Sequence, residues 1–283
     1  MDLLIIILVL IQIIIYILTA LIALLYACLI LFIRRLRHKN NIFIANICLS
    51  IILSSIYFII FFQGYTVYNS QSLCILFYFT FHIACIDIPF AFLAFTVHRF
   101  CSITFHTKDL FKKKRWVVIC IFGHWIVECI ISLPFINEYD LYCNMKLWIG
   151  YYAFITTVIM PSFINITLNI RIFLHVRNSV RRIHPELISR TIIGTNNQQL
   201  KMNRRDLSLL KHMIFTFLVF IIGWSPIMIA NIVELIILNQ LVAILACMYV
   251  SAFATLAIII YLFLCNPDIR QYIYQNIRRC FHV

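Results

Sequence analysis

Two carboxylates and a histidine stand where a chain this apolar has least reason to put them. Asp87 and Glu128 each fall near the middle of a long apolar run, and His124 lies one residue before Trp125. An unpaired charge in hydrocarbon costs several kcal/mol, so such residues count by default as candidates for structural hydrogen bonding, ligand contact or proton transport. No Lys or Arg is close to either carboxylate in sequence, and His124 is the expected partner of Asp87 across the two runs. His82 reads as a pocket or packing histidine rather than a metal ligand, because neither i+3 nor i+4 offers a carboxylate or imidazole. Metal-binding spacing, a nucleotide loop and a nucleophile with an obvious base are all missing from the sequence, so the expectation is a non-enzyme with no cofactor and no metal.

A second group of residues suggests mechanics rather than catalysis. His98-Arg99-Phe100 ends one apolar run and places a guanidinium at a membrane boundary, where a snorkelling arginine is the plainest reading. Phe220, Gly223, Trp224, Ser225 and Pro226 fall inside another run. A proline in mid-helix removes one hydrogen bond and clashes with the preceding turn, so that helix is expected to bend, with neighbouring groups repairing the loss in lipid. Trp224, two residues before the bend, is placed to report occupancy of a pocket to a hinge.

The elements that position these residues follow from composition. Of 283 residues, 64% are hydrophobic and 12% charged, whereas a soluble domain keeps about a quarter charged. Mean hydropathy is +0.99. Five glycines and six prolines leave no room for a long linker. Seven apolar runs reach the roughly 20 residues needed to cross a bilayer: about 3–33, 42–62, 73–100, 116–135, 147–174, 209–238 and 241–264. The expected fold is an all-α membrane protein, a seven-transmembrane helix bundle forming a single domain over 1–283. A short amphipathic helix, about 267–280, is expected to lie on the membrane surface after the seventh span.

Charge sets the expected orientation. Basic links follow spans one, three and five, and Arg270, Arg278 and Arg279 follow span seven; of 23 Lys and Arg residues only Lys146 falls in a link on the other side. The positive-inside rule puts the basic side in the cytoplasm, giving an N-terminus outside and a C-terminus inside, as seven spans require. The +13 charge is thereby read as topology and attraction to anionic lipid, with no nucleic-acid partner. With only Met1 and Asp2 before the first span, no ectodomain is expected, and the first run reads as a retained signal-anchor-like helix. The basic link between Arg177 and Arg205, roughly 35 residues from span to span, carries Pro185 and Gly194 and is expected to be the most mobile part.

Most of the eleven cysteines fall in apolar runs and read as small buried hydrophobes. Cys74 opens span three and Cys143 lies in the next link on the same outer side, so the pair can form a disulfide there. Cys280 closes the basic tail as an S-palmitoylation candidate. The Asn165-Ile166-Thr167 sequon lies within span five and is not expected to be glycosylated.

Taken together, the topology and these residues resemble the rhodopsin-like (class A) family of G protein-coupled receptors over the whole chain. Cys74 and Cys143 match the family's span-three and loop cysteines, and Arg99 matches the arginine of its Asp-Arg-Tyr triplet. Trp125 and Pro161 match the span-four tryptophan and span-five proline, Phe220 with Trp224 and Pro226 the Phe-x-x-x-Cys-Trp-x-Pro switch, and Tyr261 the tyrosine of Asn-Pro-x-x-Tyr. The departures are His98 for aspartate, Ala257-Ile258 for Asn-Pro, and Ile51 where the family carries a sodium-coordinating aspartate; no sodium site is expected.

The resemblance implies a plasma-membrane receptor that takes an extracellular ligand into the bundle and activates a heterotrimeric G protein by an outward swing of span six. By spacing, the implied lining is Phe81, His82, Cys85, Thr157, Trp224, Met228 and Glu234. Phe81 stands where amine receptors carry an aspartate, so a peptide is expected rather than an amine, with Glu234 available to a cationic group. Arg99, Phe220, Trp224, Pro226 and Tyr261 form the implied switch, and Asp206 the implied partner of Arg99 in a resting-state lock. The alternatives are a small transporter or channel using Asp87 and Glu128, and a non-signalling decoy receptor.

Overall fold

The computed structural model describes residues 2–64, 71–105, 108–136, 146–186, 196–236 and 241–266, together with 269–272, 275 and 278 of the tail. Among the described residues the chain is helical but for short links, and seven helices are long and apolar enough to cross a membrane. Helix is the outcome forced on an apolar run in lipid, where every backbone N–H and C=O must find its partner within the segment.

Span one is Asp2–Phe32, span two Lys39–Gly64 and span three Gln71–Thr104. Span four is Lys114–Ser132, continued by a 3-10 turn, Leu133–Ile136. Span five is built in three parts: Leu147–Phe154, a π-helical turn Ile155–Ile159, and Met160–Glu186. Span six is Asn196–Ile236 and span seven Leu241–Cys265. A 3-10 turn, Arg34–Leu36, and a short helix, Asp109–Lys112, occupy two of the basic links. Residues 269–272, 275 and 278 are helical as well, within the stretch expected as a surface helix.

Spans five and six reach further than hydropathy predicts. Their helices run on to Glu186 and from Asn196, so much of the expected 35-residue loop is helix. Hydropathy locates only the part of a helix that lies in lipid; Arg, Lys, Gln, Leu and Met in the basic link favour continuing the same helix into water.

Span one lies against spans two and seven, span three against two, four and five, span five against six, and six against seven, which closes the ring around span three. Burial follows this order: 56% of the central window of spans two and three is buried, against 22% in span one. On span one, Leu10, Ile14, Leu21, Leu24 and Leu31 are exposed while Ile15, Tyr16, Ala23, Tyr26 and Ile30 are buried. Such an apolar outer face is what lipid requires.

Lipid tails are as apolar as leucine, so packing and polar ties rather than hydrophobicity must hold span to span. The Tyr26 hydroxyl donates to the Leu262 carbonyl at 3.1 Å, and the Asn266 amide donates to Tyr26 Oη at 3.0 Å and to Asn41 Oδ1 at 3.2 Å, joining the ends of spans one, two and seven. Ser54 Oγ donates to the Ala84 carbonyl at 2.8 Å between spans two and three, and Thr96 Oγ1 lies 2.7 Å from Asn165 Oδ1 between three and five. Spans six and seven meet at Gly223, where a Cβ would stand 2.1 Å from Ala254 Cβ. Only a residue without a side chain lets the two backbones approach so closely.

Candidate functional site

Two constellations in the bundle carry more than packing. The first is an aromatic column around Trp224. Phe220 stacks on the Trp224 ring at 5.7 Å, one helical turn away, and Phe58 of span two meets Trp224 from across the bundle at 5.5 Å. Phe58 also touches Phe81 at 6.2 Å and Tyr16 at 5.2 Å. Trp224 is thus enclosed by spans two and six, and its indole N–H donates to Thr255 Oγ1 of span seven at 3.3 Å. Aromatic pairs of this kind add about 0.5–1.5 kcal/mol each beyond their buried area. Two residues on, Pro226 lies inside the continuous helix of span six. It removes the backbone bond that would join residue 226 to the Ile222 carbonyl, so Trp224 sits within the helix's weakest hydrogen-bonded turn.

Toward the Arg99 end, Tyr261 of span seven holds span six. Its hydroxyl is 2.6 Å from His212 Nδ1, and its ring packs on Phe215 at 4.6 Å. Arg99 is buried, and its carbonyl accepts from Ser102 Oγ at 3.0 Å. Its neighbour His98 is buried against Phe43 of span two, ring to ring at 4.7 Å. Asp206 belongs to the span-six helix, but its side chain lies outside the described residues, as do those of Cys74 and Glu234. Cys143 and Cys280 lie wholly outside them.

Of the remaining expected lining residues, Phe81 joins the Trp224 column through Phe58. Cys85, Thr157 and Met228 are buried, and Phe81 is partly buried. His82 is buried with both ring nitrogens engaged: Nδ1 lies 2.9 Å from Ser132 Oγ of span four and Nε2 lies 2.9 Å from Thr156 Oγ1 of span five. Phe135 stacks on its ring at 4.1 Å. The π-helical turn positions Thr156 and Thr157, because one extra residue per turn swings successive side chains inward. A groove of about 350 Å³ opens elsewhere, between spans five and six, lined by Asn165, Asn169, Phe173, Lys211 and Phe217; none of the expected ligand residues borders it. Asn165, of the sequon, is itself buried, with Asn169 Nδ2 donating to its Oδ1 at 3.1 Å.

The second constellation is polar and lies between spans two, three and four. His124 Nε2 stands 4.0 Å from Asp87 Oδ1 and 3.8 Å from Glu128 Oε1. Glu128 is 0% exposed and Asp87 1%. Asn46 of span two completes the group: Trp125 Nε1 donates to its Oδ1 at 3.4 Å, and its Nδ2 faces His124 Nε2 at 3.4 Å. An indole N–H can only donate, which fixes the amide with its nitrogen toward the imidazole.

Position along the spans predicts the pairing of Asp87 with His124; the arrival of Glu128 at the same point is a finding of the structure. An i, i+4 relation to His124 was the available signal, since residues so spaced share one helix face. Phe58, Thr156, Thr255 and His212 carry no motif that marks them.

A family model described as 7 transmembrane receptor (rhodopsin family) matches residues 22–269 of the chain. No curated protein matches it.

Proposed function

Because the chain belongs to the rhodopsin family of seven-transmembrane receptors, we propose that it signals from the plasma membrane by coupling an extracellular ligand to a heterotrimeric G protein. The family is one of multi-pass membrane receptors rather than enzymes; it binds extracellular ligands and generally acts through G proteins. The proposed orientation puts the Arg99 end in the cytoplasm, where the basic links lie, and Cys74 outside with Cys143 as its disulfide partner. Cys280 is the proposed lipidation site.

The observation that carries this reading is the enclosure of Trp224 two residues before Pro226, with contacts to spans two and seven. A ligand that displaces the Phe58, Phe81 and Trp224 rings acts on the one turn of span six that lacks a backbone hydrogen bond. A two-state bundle responds to such a ligand only through its difference in affinity for the two states. Span six then swings outward at the Arg99 end, and the crevice beneath Arg99 admits the G protein. Asp206 is the proposed resting partner of Arg99. The ligand is proposed to be a peptide: Phe81 offers an amine no counter-ion, whereas Glu234 can meet a cationic side chain. Phe81, His82, Cys85, Thr157, Trp224, Met228 and Glu234 remain the proposed lining.

The test is nucleotide exchange on purified heterotrimeric G proteins by the reconstituted chain, with and without a panel of synthetic basic peptides. Exchange above that of empty vesicles, lost in Trp224→Ala, supports the reading. Peptide binding with no exchange on any G-protein class points instead to a decoy. Movement of labelled solute across the vesicles without exchange points to a carrier.

A further inference from the structure

We propose that Asp87, His124 and Glu128 form a binding site for one divalent transition-metal ion of the zinc class, stapling span three to span four inside the membrane. One ligand atom from each of the three residues lies within 4.8 Å of the others, and all three residues are buried. A tetrahedral zinc ion with bonds of about 2.0–2.2 Å sets its ligands roughly 3.3–3.6 Å apart, so a pair at the 4.8 Å limit needs to close by about 1.5 Å and the two pairs made by His124 by about half an ångström. Carboxylates and an imidazole on two long helices can do that by rotamer adjustment alone.

Three independent features favour an ion. Asp87 Oδ1 and both carboxylate oxygens of Glu128 are buried without a hydrogen-bond partner among the described residues. Buried polar atoms of that kind need an explanation, and an unseen ion is one of the few available. The second feature is charge. Once ionised, the two carboxylates carry −2, which a divalent cation cancels and a monovalent one does not; cancellation matters most where water is excluded. The third is the orientation of Asn46, whose amide nitrogen faces His124 Nε2. A donor there leaves Nε2 with its lone pair and puts the imidazole proton on Nδ1, the state in which Nε2 ligates metals. The ion replaces a 3.4 Å contact, at the long end for a hydrogen bond.

The donor set selects the metal. One nitrogen and two oxygens suit zinc and its neighbours, whereas calcium takes six to eight oxygens and magnesium a near-octahedral oxygen shell. Ser50 of span two stands beside Asp87. Asn46, which Trp125 holds in place, becomes the group behind the ligands that sets their orientation. The site is separate from the Trp224 column and does not depend on the receptor reading.

The experiment uses the full chain purified in detergent, stripped with a chelator, and titrated with Zn²⁺, Co²⁺ or Mg²⁺. Expected are one equivalent of Co²⁺ with ligand-field bands and no thiolate charge-transfer band, and a rise in Tm with Zn²⁺ but not Mg²⁺. Glu128→Gln, Asp87→Asn and His124→Gln should each weaken binding at least tenfold and abolish the Tm rise. Metal-free Tm of these variants checks folding, and any one folded variant suffices. A cobalt spectrum dominated by thiolate bands, a Zn²⁺ effect equal in wild type and variants, or no Zn²⁺ effect at all would each overturn the proposal.

Discussion

The hydroxyl of Tyr261 lies 2.6 Å from Nδ1 of His212, tying span six to span seven on the Arg99 side of the Pro226 turn. In the proposed mechanism this contact must break when span six moves. Tyr261→Phe deletes the hydroxyl and keeps the ring packed on Phe215. One hydrogen bond is worth about 0.5–1.5 kcal/mol, so ligand-independent nucleotide exchange should rise roughly two- to tenfold. Equal exchange by wild type and Tyr261→Phe would show that the bond does not restrain span six.

Gly223 gives a prediction whose sign separates packing from propensity. In an isolated helix Gly→Ala is worth about 1 kcal/mol of stabilisation. Here the new methyl would land 2.1 Å from Ala254 Cβ, and overpacking of that kind costs about 1–3 kcal/mol. Gly223→Ala should therefore lower the Tm by a few degrees. Gly223→Ala with Ala254→Gly should recover most of the loss, because the clash is pairwise. A single variant more stable than wild type would remove the close approach from the account.

What could be read from the sequence divides along a physical line. Hydropathy and charge act on single segments, so the seven spans are legible one at a time; Phe220 and Trp224 share one helix face, and Pro226 belongs to the same motif. Relations between spans are set by packing and leave no local trace. Asp87 and Glu128 come together across 41 positions of sequence, and no spacing rule for metal ligands on one element finds such a set. The π-helical turn at Ile155–Ile159 has the composition of ordinary helix, yet it decides that Thr156 meets His82. Pro89, inside span three, leaves no break in the hydropathy of its run.

His82 makes a structural prediction about a residue proposed to line the pocket. His82→Phe keeps a ring for Phe135 to stack on but strands Ser132 Oγ, and an unsatisfied buried hydroxyl costs about 1–3 kcal/mol. Thr156 fares better, since its hydroxyl also lies 2.8 Å from the Tyr152 carbonyl. The variant should melt a few degrees lower than wild type, whereas Ser132→Ala in the His82→Phe background should restore much of the difference. Failure of that second change to help would place the importance of His82 elsewhere than in its bond to span four.

Pro226 is where stability and motion are expected to trade against each other. Span six is continuous from Asn196 to Ile236 with the proline inside it. A proline in a helix interior costs about 3 kcal/mol through the missing N–H and the clash with the residue four earlier, which is Ile222. Pro226→Ala returns the hydrogen bond to the Ile222 carbonyl and stiffens the turn that carries Trp224. The expected result is a higher Tm together with severalfold lower nucleotide exchange, measured on the same preparation. Tm alone reports only the backbone repair; the fall in exchange is the part that tests the hinge. A stabilised variant that drives exchange as fast as wild type would mean that span six moves as a rigid rod, pivoting at its ends rather than at the proline.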